Sequence, residues 1–118
     1  MTVCDVLVVG SGAGGLAAAA RAHDKGLSVK VIEKAAYWGG TSAISGGAVW
    51  FPCNPQYPED DPVEAKQYLQ ACVGPDYDEA RISAYLDRVP ETVAFLKACG
   101  VSLQSNAEYP DYRQDFRG

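Results

Sequence analysis

The chain has no cysteine pair at C-x-x-C spacing, since Cys4, Cys53, Cys72 and Cys99 lie 49, 19 and 27 residues apart. That excludes a C-x-x-C redox or metal pair and a c-type haem anchor. The thiols read as reduced and buried, the usage expected of a cytoplasmic protein, and no metal site is expected. No apolar run approaches the roughly 20 residues that a membrane helix needs, so no transmembrane segment is expected. Met1 to Cys4 leaves no room for the charged and apolar regions of a secretory leader, and none is expected. Basic residues are few: 10 Lys and Arg against 15 Asp and Glu, a net charge of −5. There is no basic stripe, and nucleic acid is not an expected partner. The acidity is local, with seven acids against Lys66 alone in 54–80, which reads as a solvated loop and helix start. The only histidine, His23, falls inside the first helical stretch and reads as solvent-facing.

What the chain does have is glycine in the right places. Asp5-Val6-Leu7-Val8-Val9 reads as a buried strand and runs straight into Gly10-Ser11-Gly12-Ala13-Gly14-Gly15, after which an alanine-rich helix begins. This is the order a dinucleotide pyrophosphate requires. Gly10 permits the tight turn, Gly12 lets the backbone approach the phosphates, and Gly15 lets helix and strand pack closely. The helix then aims its free N–H groups and positive dipole end at the anion. A second strand, Leu27 to Ile32, ends in Glu33, 18 residues beyond Gly15, where an acid can accept hydrogen bonds from a ribose 2′-OH. The competing reading is a tight strand–helix turn with a surface glutamate at its exit.

Gly26 is expected to end the first helix. From Lys34 to Asn54 the sequence is rich in glycine, serine and aromatics without helical period, a long functional loop or broken strands. Pro52, Pro55, Pro58 and Pro62 punctuate the next stretch into turns. A helix capped by Asp61 with Pro62 at its first position should run to Gly74, burying Ala65, Tyr68, Leu69 and Cys72. Another should start near Asp78 with Ile82, Tyr85, Leu86 and Val89 on one face. Pro90 is expected to break or kink it, and a last piece with Val93 and Leu96 to end at Gly100. Val101 to Leu103 is a candidate short strand. Two strands are too few for a doubly wound sheet, so the chain is read as the N-terminal part of an α/β domain: βαβ at 3–33, a loop at 34–55, helices at 61–100.

The second glycine cluster moves the cofactor from nicotinamide towards flavin. Lys34-Ala35-Ala36-Tyr37-Trp38-Gly39-Gly40-Thr41-Ser42 is followed by Ala43-Ile44-Ser45-Gly46-Gly47. Two glycine pairs with interleaved hydroxyls offer close backbone approach and several N–H donors, a second contact line for a long extended cofactor. A glycine-rich surface loop is the alternative.

Carried by these residues, nearly all of 3–118 resembles the FAD-dependent flavoproteins related to fumarate reductase and succinate dehydrogenase. Within them, Gly39 through Ala48-Val49-Trp50-Phe51-Pro52-Cys53-Asn54-Pro55 is most similar to the 3-ketosteroid Δ1-dehydrogenases, as is Tyr109-Pro110-Asp111-Tyr112. The resemblance implies a Rossmann-like FAD-binding domain of the glutathione-reductase type. Its implied cofactor contacts are Gly10, Ser11, Gly12, Ala13, Gly14, Gly15, Glu33, Lys34, Gly39, Gly40, Thr41, Ser42, Ser45, Gly46 and Gly47. Succinate dehydrogenase subunits attach flavin through a histidine just ahead of the second glycine pair. Gly40 stands at the nearest equivalent position here, so non-covalent FAD is implied.

The implied reaction removes a proton from C2 and a hydride from C1 of a 3-ketosteroid. The ketone acidifies C2, donors on its oxygen stabilise the enolate, and a tyrosinate of lowered pKa serves as base. The hydride passes to flavin N5 and onward to an external electron acceptor. Tyr112 matches a tyrosine that tunes the base, whereas its residues alone read as packing after a Pro-Asp turn. Trp50 and Phe51 read either as core or as the wall of a steroid cleft. The base and the substrate domain are expected outside this chain, which is expected to be inactive alone. Two alternatives remain open: a soluble fumarate-reductase-like flavoprotein acting on a dicarboxylate, and a non-catalytic nucleotide-binding fragment that works only in an assembly.

Overall fold

The computed structural model describes residues 3–105, 113, 115 and 116, and the chain divides into two compact units, Met1–Val49 and Trp50–Gly118. The first is a βαβ unit. Strand β1 spans Val6–Val9, helix α1 Ala13–Asp24 and strand β2 Val29–Ile32. The strands pair in parallel with Val6 opposite Val29 and Val9 opposite Ile32; a parallel pair needs a crossover longer than a hairpin, and α1 supplies it. Pleating sends alternate side chains of β1 to opposite faces. Val8 is buried against α1, where Ala19 is also buried. Leu7 and Val9 point the other way and are 54% and 77% exposed, and Ile32 of β2 is 43% exposed. Parallel sheets are normally covered on both faces. Each such side chain contributes about 1.5–3 kcal/mol when a second layer buries it.

In the first unit the expected strands and helix appear, with boundaries set by their caps. Gly26 has φ +80° and donates to His23 O, while Leu27 donates to Ala22 O. This Schellman arrangement commits Leu27 to the helix end, so β2 starts at Val29 rather than at Leu27. Ser28 is held by Asp5, whose carboxylate accepts from its amide at 2.9 Å and its hydroxyl at 2.5 Å. Those bonds hold the Asp5 carboxyl below its ordinary value. The stretch expected to lack helical order contains a 3-10 helix, Gly40–Ile44, entered through Gly39 at φ +105°.

In the second unit α2 spans Pro62–Val73 and α3 spans Glu79–Ala98. Asp61 caps α2 by accepting from Val63 N at 2.8 Å, and Asp78 caps α3 by accepting from Arg81 N. Helix α3 continues through Pro90, so of the expected break or kink the break does not occur. Leu86, Val89 and Val93 form one buried stripe across the proline, with Ala65 of α2 also buried. That shared burial outweighs the single backbone bond to Leu86 O that Pro90 cannot donate. The expected strand at Val101–Leu103 is absent. Gly100 donates to Lys97 O and Val101 to Leu96 O, a second Schellman end, which takes the first strand residue into the helix cap. Glu79 ties the helices together by accepting from Lys66 Nζ at 2.8 Å, Tyr77 Oη at 2.6 Å and Ser83 Oγ at 3.1 Å. The cysteines depart from expectation as well: all four are free thiols, but Cys72 and Cys99 are exposed and Cys4 and Cys53 only half-buried. Cys72 lies in the last turn of α2 and Cys99 is the C-cap of α3, where helix ends run out of neighbours.

Candidate functional site

The glycine turn after β1 is built by backbone geometry that only glycine tolerates. Gly10 has φ +95°, and its N–H donates to Ile32 O at 2.8 Å, pinning the turn to β2. At Gly15 a Cβ would run into the carbonyl oxygen of Gly10 and meet Val8 Cγ1 at 3.3 Å. The missing side chain therefore lets α1 lie directly on β1. Gly12 is the N-cap of α1, with extended backbone and no side chain to cap the helix.

Helix α1 carries no acid in its own first turn. Helix geometry leaves its first N–H groups, including those of Ala13, Gly14 and Gly15, without intrahelical acceptors. Ala13 N donates to Ser42 Oγ at 3.1 Å.

Glu33 follows β2 and turns its carboxylate back to that turn. Its Oε2 accepts from the Ser11 amide at 2.9 Å and the Ser11 hydroxyl at 2.6 Å, and its Oε1 from Ala35 N at 2.8 Å. With the Ala35 amide contributing most and Ser11 next, these donors hold the carboxyl down to about 2 from 4.5. A depressed acid stabilises the folded form fully above its ordinary value. Here that contribution is lost as pH falls from 4.5 to about 2. Glu33 is ionised wherever the protein works near neutrality.

The second glycine cluster docks on the first through hydroxyls. Gly39 N donates to Ser11 Oγ at 2.9 Å, Ser42 receives the Ala13 amide, and Gly40 lies so close that a Cβ there would sit 3.6 Å from Gly12 Cα. Ser45 Oγ donates to Ser42 O at 2.8 Å and accepts from Gly47 N at 3.2 Å. Gly10, Ser11, Gly12, Ala13, Gly15, Glu33, Gly39, Gly40 and Ser42 are thus gathered around one turn. Lys34, Thr41 and Gly46 are exposed along the same stretch. Sequence reasoning misses Ala35; an acid accepting from the amide two residues on is a common turn device and is the available signal. Tyr112 and Tyr109 lie outside the described residues. Trp50 packs its ring 5.2 Å from Tyr68 and 6.3 Å from Tyr85 within the second unit, yet stays 42% exposed.

The residues fit a dinucleotide cofactor. The turn closes on α1 only because Gly15 has no side chain, the first amides of α1 lack intrahelical acceptors, and an ionised acid is bonded to the turn through Ser11, the ingredients of a dinucleotide site. Fold and site together define a dinucleotide-binding βαβ protein with a flavin-type second glycine cluster. The family model described as FAD binding domain matches residues 5–117, and the chain belongs to that family. FAD is its cofactor.

A 3-oxosteroid 1-dehydrogenase of Mycolicibacterium smegmatis is 44% identical over 119 residues, covering 97% of this chain and 21% of that protein. A 4-oxocyclohex-2-ene-1-carboxylate 5-dehydrogenase of Sinomonas cyclohexanicum is 42% identical, covering 98% and 20%. The crystal structure of 3-ketosteroid Δ1-dehydrogenase from Sterolibacterium denitrificans, in complex with 1,4-androstadiene-3,17-dione, superposes with a TM-score of 0.84. It is 50% identical, and the match covers 97% of this chain and 21% of that one. The chain spans about a fifth of the length of these relatives. Among the described residues, no helix is long and apolar enough to cross a membrane.

Proposed function

We propose that this chain is the FAD-binding N-terminal portion of a cytoplasmic flavoprotein that introduces the Δ1 double bond into 3-ketosteroids. The observation that carries the reading is 44–50% identity over 97% of the chain to enzymes named for that reaction. The uncovered sheet face of Leu7, Val9 and Ile32 supports a larger protein in which further polypeptide completes the sheet. In that protein Gly10, Gly12 and Gly15 shape the phosphate turn, and the amides of Gly14 and Gly15 face the pyrophosphate, while the Ala13 amide stays on Ser42. Glu33 accepts from the adenosine ribose, with Lys34 beside it. Gly39, Gly40, Thr41, Ser42, Ser45, Gly46 and Gly47 run along the flavin side without a covalent link. FAD supplies the hydride acceptor for C1 of the steroid, and an external acceptor takes the electrons onward. Tyr112 holds its hydroxyl against the tyrosine base that takes the C2 proton and lowers that base's pKa. The base itself comes from the rest of the protein.

Anaerobic mixing of the full-length holoprotein with a 3-ketosteroid should bleach the oxidised flavin band. No bleaching by any 3-ketosteroid, together with reoxidation of the reduced flavin by an unsaturated dicarboxylate, would replace this reading with the fumarate-reductase-like one. Tyr112→Phe keeps the ring and removes one hydroxyl. Turnover should fall tenfold or more, about 1.4 kcal/mol of barrier, at normal flavin content. Equal loss in Tyr109→Phe with none in Tyr112→Phe would transfer the role to Tyr109.

A further inference from the structure

Ser11 is fully buried, although it sits in a turn whose glycines are there to meet a ligand. Its hydroxyl has one proton to donate and lone pairs to accept with. The proton goes to Glu33 Oε2 at 2.6 Å, the short distance of a charge-assisted bond. A lone pair receives the Gly39 amide at 2.9 Å. The Ser11 amide donates to the same Glu33 oxygen at 2.9 Å. One residue therefore clamps one carboxylate oxygen twice and passes the contact on to the second glycine cluster. The Gly39 end is equally constrained: φ is +105° and a Cβ there would collide with Ala43 Cβ, so the direction of the Gly39 amide is set.

We infer that Ser11 is a positioning residue for the cofactor. Its hydroxyl orients the Glu33 carboxylate for the ribose diol and locks that acid to the start of the flavin-side loop. The inference rests on the FAD reading of Glu33. A carboxylate offers about four acceptor sites; the amide and hydroxyl of Ser11 and the amide of Ala35 bond to it directly, and the Lys34 amide adds a weaker contact. These bonds fix the plane of the carboxylate and with it the direction of the lone pairs it can offer a ribose. Without the Ser11 hydroxyl, the carboxylate keeps its charge but loses the bond that fixes its plane. The Gly39 amide is left without its acceptor at the same time. A serine that merely fills the interior would affect every part of the cofactor alike; a positioning serine affects the ribose hydroxyls selectively.

The test uses the full-length flavoprotein stripped of FAD, titrated with ADP and with 2′,3′-dideoxy-ADP. The wild type should prefer ADP by about tenfold or more, the scale of hydrogen bonds to a charged acceptor. Ser11→Ala should weaken ADP by roughly tenfold and leave dideoxy-ADP within about twofold, erasing the preference. In a Glu33→Ala background, where Ser11 has no side-chain acceptor left, the same change should cost nothing further. Ser11→Cys, near in size but a poor donor, gives the same comparison if the alanine variant does not fold. Equal weakening of both nucleotides, or an ADP affinity untouched by either Ser11 variant, overturns the positioning role. A wild type that binds ADP without preference over dideoxy-ADP overturns the ribose reading of Glu33, and the inference falls with it.

Discussion

Gly15→Ala in the full-length flavoprotein is expected to yield a protein that carries no flavin. The added Cβ would run into the Gly10 carbonyl oxygen, with the Gly10 carbonyl carbon and Val8 Cγ1 each 3.3 Å away. The obstacle is backbone, so no rotamer change relieves it. Either α1 lifts from β1 or the turn at Gly10 opens, and Gly10 already holds φ +95° with its amide tied to Ile32 O. Overpacking of this kind costs about 1–3 kcal/mol in stability. The larger effect is on binding, because either movement shifts the helix N–H groups away from a common anion. Affinity for FAD should fall by roughly a hundredfold or more, the equivalent of losing two charge-assisted bonds. Gly14→Ala is the control: nothing lies within 4 Å of its Cβ, and FAD should be retained. The ratio of protein to flavin absorbance reads both. A fully loaded Gly15→Ala protein would remove this turn from the phosphate site.

Glu33→Ala should weaken FAD ten- to about a hundredfold, as expected when acceptor bonds to a charged group are lost. Two separate things disappear with the carboxylate. The ribose loses its acceptor, and the Ser11 amide and hydroxyl lose their common partner. Glu33→Gln retains one oxygen for Ser11 and should fall between alanine and wild type. Fluorescence titration of the apoprotein with FAD measures the series. Unchanged affinity in Glu33→Ala would end the ribose assignment.

Those two positions also divide what is legible in the sequence from what is not. Gly15 and Glu33 are readable because their signals are local. A glycine turn between an apolar strand and an alanine-rich helix has one well-populated use, and an acid at the end of the next strand returns to the same turn by the geometry of a parallel pair. Asp61 with Pro62, Asp78, Gly26 and Gly100 are equally legible as caps, since each satisfies orphan backbone groups within a few residues of itself. Pro90 misleads because its cost is local and its compensation is not. Leu86, Val89 and Val93 hold α3 together through shared burial, which no window around the proline reveals. The candidate strand at Val101 fails because the Schellman cap and the strand compete for the same amide, and a lone segment has no ladder to offer in return.

The amino-acid sequence by itself determined the βαβ order, the glycine turn and the acid that returns to it, because chain sterics and hydrogen-bond valence decide them within about 30 residues. Tertiary structure alone decided that Ser11 turns inward, that Ser42 receives the Ala13 amide, and that Gly40 approaches Gly12. The hydrogen bonds among these contacts join residues 28 and 29 positions apart. Serines and glycines carry no periodic signature, so only the folded path of the backbone brings such partners to hydrogen-bonding distance.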